Sequence, residues 1–312
     1  MLQSPPLKTL PRYPVTASVG VLALAVSVMW WTGSSLHIDG LVMNVKVWER
    51  WELWRALTST LPHLNFLHLA FNLYWLWIFG TLLERVYGHL RYAGIVLLLA
   101  FFSSMADFML SHGGVGLSGV GYGLWGMLGV LAKRDPRFAG TIDSRTNQLF
   151  IGWFFFCIFL TISGAMPVGN VAHGAGAIMG ALLGLAASST GKVRQLSRVW
   201  IVSAVILVTA GSTLFWPWVN LTDSAESEIE RAGVEALHLV DNTKAIKLLE
   251  TATHTRHAPA RAWYNLGIAY QRLYRYADAL AAYEHAARLP DATPDMQEAA
   301  QDLHPSVIRT KQ

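Results

Sequence analysis

The stretch Gly114-Val115-Gly116-Leu117-Ser118-Gly119-Val120-Gly121-Tyr122-Gly123 opens an apolar run that continues to Ala132. It places a hydroxyl at the mouth of a membrane helix, among residues without side chains. Glycine lets a backbone turn tightly and lets other groups approach closely. It also leaves backbone N–H groups bare near Ser118, as a developing oxyanion requires. Serine in such a run also serves as packing glue between membrane helices. The reading of Ser118 therefore depends on the polar groups that share its depth.

Working outward, the chain of 312 residues is 53% hydrophobic and only 14% charged, the composition of a polytopic membrane protein. The apolar runs predict spans at Val15–Thr32, Pro62–Leu83, Tyr92–Leu110, Ser118–Ala132, Leu149–Ala165, Asn170–Ala187 and Val199–Val219. The fourth is short for a full crossing and rich in glycine, which suits the inside of a bundle. Pro217 is expected to fray the end of the seventh. No small-residue cleavage site follows the first run, which reads as a retained anchor. Residues 1–14 read as a flexible basic arm. Gly33 to Leu61, with Trp48, Trp51 and Trp54, suits a loop lying in the membrane interface. Beyond Leu221 the chain becomes charged and rich in Ala. The expected division is an arm at 1–14, a membrane domain at 15–198, an added helix at 199–221 and a helical domain at 222–312. The fold class is all-α: a polytopic bundle of six core helices plus a seventh, followed by a small helical domain. The single cysteine, Cys157, excludes an intrachain disulfide. No cofactor, metal or nucleic acid is expected.

Lys and Arg set the orientation. Lys8, Arg12, Arg85, Arg91, Lys133, Arg134, Arg137, Arg145, Lys192, Arg194 and Arg198 fall in alternate loops, against only Lys46, Arg50 and Arg55 on the other side. The positive-inside rule then puts the N-terminus in the cytoplasm, and seven crossings put the tail outside.

On this topology Ser118 begins the fourth span at the outer face, and His173 lies one turn into the sixth. The second span carries His63, His68 and Asn72, the last two on one helix face. Polar groups at this depth are costly unless satisfied or functional. His173 alone reads either as a hydrogen bond to a neighbouring helix or as a general base to Ser118. His68 and Asn72 read either as interhelical glue or as donors to an oxyanion. Gly176, Gly180 and Gly184 form a stripe on the face of His173, and a fourth span packed on it would bring Ser118 and Tyr122 to the imidazole. A third triad member is not apparent. Asp107 is the only outer-side acid between Pro62 and Ala187 and is expected at a helix end, leaving a Ser–His dyad. Glu84 is expected to bond a neighbouring helix.

These residues are where the chain resembles the rhomboid family of intramembrane serine proteases, from about Trp48 to Gly184. The shared elements are Glu52-Leu53-Trp54-Arg55, His63-x4-His68-x3-Asn72, Gly80-x3-Glu84-x3-Gly88, Gly116-Leu117-Ser118-Gly119 with Tyr122, and Ala172-His173-x2-Gly176-x3-Gly180. The resemblance implies Ser118 as nucleophile and His173 as base. It implies an oxyanion hole of His68, Asn72 and the backbone amide of Ser118, supported by His63, Tyr122, Gly116 and Gly119. It implies single-span membrane proteins as substrates, cut within the lipid bilayer near helix-destabilising residues and admitted beside Trp153, Phe154, Phe155 and Phe156. An outward-opening polar cavity would supply water, and the loop with Gly164, Pro167 and Gly169 would cap it. The implied location is a bacterial inner membrane. The rival readings are a rhomboid-like protein that binds and sorts clients without catalysis, and a transporter. A transporter would call for internal repeats and midplane charges, and neither is present.

In the tail, Trp263-x2-Leu266-Gly267-x2-Tyr270 followed by Ala279, Tyr283 and Ala286 resembles the tetratricopeptide repeat (TPR). Gly233, Ala245, Leu249 and Ala252 match one repeat earlier. Two repeats with a capping helix at Asp295–Leu303 are expected, offering a groove to a protein partner or a substrate ectodomain.

Overall fold

The computed structural model describes residues 5–33, 38–256 and 258–309, the last six of these by backbone alone. Among the described residues there is no strand. The chain divides into two compact units, residues 1–214 and 215–312.

In the first unit, Leu7–Arg12 forms a 3₁₀ turn ahead of α1 (Pro14–Trp31). Trp77 Nε1 donates to the Pro5 carbonyl at 2.9 Å, so this segment is tethered rather than free as the sequence led us to expect. Residues 1–4 of the expected arm lie outside the described residues. α1 starts on a proline at its first turn, where the missing N–H costs nothing. Short helices α2 (Lys46–Arg50) and α3 (Arg55–Thr58) follow. Buried Arg55 organises this loop by donating to the carbonyls of Asp39 and Val42 and to Glu52. α4 (Phe66–Trp75) begins where Asn65 accepts the His68 N–H as an N-cap. His63 therefore lies in the loop before the helix, not on the span itself. The helix widens into a five-residue π segment at Leu76–Gly80 and continues as α5 (Thr81–Tyr87).

Next come α6 (His89–Leu110), α7 (Ser118–Arg134), α8 (Ser144–Ile162), α9 (Asn170–Ser188) and α10 (Gly191–Leu214). Six helices among the described residues are long and apolar enough to cross a membrane. α7, the seventh, has 17 residues and spans about 26 Å at 1.5 Å per residue. Its Val120, Leu124, Leu128 and Leu131 are wholly buried. By contrast α8 and α10 expose Phe155, Phe159, Ile162, Ile206 and Leu207, as lipid-facing helices do. α10 docks on α6 through Ser212, whose Oγ donates to the Met105 carbonyl at 3.0 Å, and through Gly211, which admits Met109. It ends at Leu214, earlier than the Val219 expected from hydropathy. Pro217 cannot extend it and instead opens a separate turn, α11 (Trp216–Val219).

The second unit continues with α12 (Ser224–His238), α13 (Asn242–Thr253), α14 (Ala260–Arg272), α15 (Tyr276–Arg288) and α16 (Pro294–Arg309). α12 packs on α13 and α14 on α15, with α16 against α15. Leu237, Leu249, Leu266, Tyr270, Tyr283 and Leu303 share one core.

Candidate functional site

α7 and α9 run parallel in close contact. A Cβ on Gly176 would overlap the Gly119 carbonyl oxygen, and one on Gly180 would overlap that of Gly123. Gly184 meets the Met127 carbonyl one turn further on, and Gly126 meets that of Ala177. Matched steps of four residues in the same direction set the first turn of α9 beside the first turn of α7. Ser118 and His173 consequently meet: His173 Nε2 lies 2.9 Å from Ser118 Oγ. The Tyr122 ring stacks on the imidazole at 4.6 Å and 22°, and its hydroxyl donates to the Phe150 carbonyl on α8. His173 is buried, and its Nδ1 has no hydrogen-bond partner among the described residues.

Gly121 is the first residue of α7 whose N–H reaches back along the helix, to the Leu117 carbonyl. The amides of Ser118 and Gly119 thus belong to the open N-terminal turn. The Leu117 N–H is taken, donating to His63 Nε2 at 3.2 Å. His63 must then carry its proton on Nδ1, which donates to the Leu61 carbonyl at 2.9 Å. Trp31 and Ser27 of α1 brace this loop: Trp31 Nε1 donates to the His63 carbonyl and Ser27 Oγ to that of Leu61.

The rings of His63 and His68 meet edge-on at 4.9 Å. His68 lies against Gly116, whose φ of +106° and whose distance of 2.8 Å from a would-be Cβ to His68 Cε1 both require glycine. The His68 Nδ1 is buried and has no hydrogen-bond partner among the described residues. Asn72 is buried one turn along and donates to the His68 carbonyl. Gly119 leaves room for Ser103 of α6; a Cβ there would fall 2.5 Å from Ser103 Oγ. Ser118, Tyr122 and His173 thus meet where α7 packs on α9, and His63, His68 and Gly116 meet at the approaches to α4 and α7, with Asn72 tied to His68 and Gly119 next to Ser118. Between α4 and α8 the Phe71 and Trp153 rings lie 5.4 Å apart. Among the described residues no group of His, Cys, Asp or Glu is placed to hold a metal.

Asp107 does not touch the imidazole. It is buried near the end of α6, and its Oδ1 accepts from the Ala172 N–H of α9 at 3.2 Å and from Ser111 Oγ at 3.0 Å. Sequence reasoning missed this tie. A signal existed: Gly169 precedes α9 and offers no side-chain cap, so the helix needed an acceptor from elsewhere.

Residues 50–190 match the model of the family described as Rhomboid domain. The rhomboid protease GlpG of Yersinia pseudotuberculosis serotype I is 27% identical over 172 residues, covering 54% of this chain and 61% of the relative. The proteins of the same name from Yersinia pestis strain Pestoides F and Yersinia enterocolitica serotype O:8 are each 29% identical, with the same coverage. The chain thus spans about three fifths of the length of these curated relatives. This similarity supports the rhomboid family for the stretch that holds the site.

Proposed function

We propose that the chain is an intramembrane serine endopeptidase using a Ser118–His173 dyad. The observation that carries the reading is the 2.9 Å approach of a hydroxyl and an imidazole from two different helices, within a rhomboid-like stretch. His173 Nε2 takes the Ser118 proton as Oγ attacks the scissile carbonyl. The imidazolium then protonates the leaving amine, and water hydrolyses the acyl-enzyme by the same route in reverse. The negative charge on the carbonyl oxygen meets the Ser118 amide, His68 and Asn72; one such donor is worth about 10²–10³ in rate. Tyr122 holds the imidazole plane in place of a carboxylate. His63 keeps the Leu117 amide, and so the start of α7, in position.

The substrate is a single-span membrane protein, admitted between α4 and α8 where Phe71 and Trp153 meet. The loop 163–169 caps the site, and cross-linking it should suppress cleavage. The protein sits in a bacterial inner membrane with its N-terminus in the cytoplasm. Residues 222–312 form two TPR-like repeats outside the membrane and recruit a protein partner or a substrate ectodomain. Tag accessibility at both ends tests that topology.

The decisive experiment compares wild type, Ser118→Ala and His173→Ala in proteoliposomes with a tagged single-span substrate. Cleavage is expected only with wild type, and a fluorophosphonate should label wild type but not Ser118→Ala. Equal cleavage by all three sinks the proposal. A wild type that binds the substrate without cutting it or reacting with the probe favours the client-sorting alternative.

A further inference from the structure

We infer that Asp107 is a positioning residue that holds His173 by capping α9 from a different helix; this rests on the protease reading above.

Three observations converge on its carboxylate. First, α9 has no cap of its own, because its N-cap residue is Gly169. Asp107 Oδ1 supplies the missing acceptor at Ala172, the third residue of the helix and the one before His173. Helix N-termini carry unsatisfied N–H groups and partial positive charge, which a buried carboxylate answers on both counts. Second, the carboxylate is wedged between the two segments that deliver the reacting residues. A Cβ on Gly114, in the segment leading to Ser118, would lie 3.2 Å from Oδ2, and so would one on Gly169, in the segment leading to His173. Third, His173 has no other tether at its far nitrogen among the described residues: Nδ1 is buried and finds no partner there. Its aim depends on the Tyr122 stack and on where the first turn of α9 sits. A serine hydrolase usually orients its imidazole by a carboxylate on that nitrogen. Here the acid acts one step away, on the backbone that carries the ring.

A cap needs an acceptor oxygen, not a negative charge, and Asn serves at such positions about as well as Asp. The full-length protein is therefore made as wild type, Asp107→Ala and Asp107→Asn. Each is assayed for cleavage of the single-span substrate, for the rate of fluorophosphonate labelling at Ser118, and for amide hydrogen exchange over residues 170–173. With Asp107→Ala, kcat and the labelling rate should fall together by about 10- to 100-fold, the scale of a small misplacement of a reacting group. KM should stay within about twofold, because the substrate is not what Asp107 touches. Exchange in the first turn of α9 should rise. Asp107→Asn should restore most of the rate and the protection, and it remains readable if the alanine variant does not fold. Undiminished labelling in Asp107→Ala overturns the inference, as does an asparagine variant that folds yet is as slow as alanine. Wild type labelled no faster than Ser118→Ala sinks the protease reading itself and this inference with it. That failure is seen before residue 107 is changed.

Discussion

The α7–α9 seam of the membrane unit and the second unit both use glycine to bring helices together, but the glycines meet different things; elsewhere in the membrane unit Gly211 and Gly119 receive the side chains of Met109 and Ser103. In the membrane unit, Gly176 and Gly180 of α9 face backbone carbonyls of α7. In the second unit, Gly233 faces Leu249 and Gly267 faces Tyr283, both through side-chain atoms. On the topology proposed above, with the second unit outside the membrane, the solvent accounts for the contrast. Lipid is as apolar as leucine, so burying a large side chain between membrane helices gains little. Close backbone packing is what holds them. In water the gain comes from burying Leu and Tyr, and glycine serves as the hole that receives them.

This contrast breaks most sharply at Gly180. Gly180→Ala should cost above about 3 kcal/mol, beyond the usual range for overpacking, because neither rigid backbone can yield. Detergent melts and Ser118 labelling should both show it, and no second substitution on α7 should rescue it. Next is Tyr283→Ala, expected to cost about 3–5 kcal/mol by opening a cavity in the second unit's core. Limited proteolysis of the full chain should then cut within α12–α15. Glu84→Gln follows, at about 1.5–3 kcal/mol for a carboxylate losing charge-assisted bonds. Glu84 accepts from the amides of Val15 and Thr16, from Thr16 Oγ1, and pairs with His89, so the loss should show in the melting temperature. The smallest effect belongs to Gly267→Ala, at about 1 kcal/mol, since the Tyr283 ring can shift. Tyr283→Leu should relieve part of it, whereas a rescue of equal size at Gly180 would erase the distinction between the units.

Glu84 and Asp107 carry the comparison into the polar groups. Each is a buried acid that accepts backbone amides at the start of another helix, Glu84 for α1 and Asp107 for α9. The sequence placed Asp107 at a helix end and anticipated a neighbouring-helix bond for Glu84. It did not reveal the donating amides, 65 residues from Asp107 and 68 from Glu84. Nothing local in the chain encodes such a pairing. His63 illustrates a second limit. Its hydropathic neighbours extended the span back to Pro62, whereas Asn65 starts the helix and leaves His63 in the loop that grips Leu117.

What the sequence determined by itself was what local chemistry dictates. Long uncharged runs must become membrane helices, because lipid satisfies no backbone group. A glycine stripe every four residues must invite a close neighbour. Only the tertiary structure decided which neighbour came, and in what register. It ran α7 and α9 in parallel so that Ser118 and His173 meet within 3 Å. It also turned Asp107 toward a helix end rather than toward an imidazole. Those outcomes depend on distances between segments far apart along the chain, set by how whole helices pack.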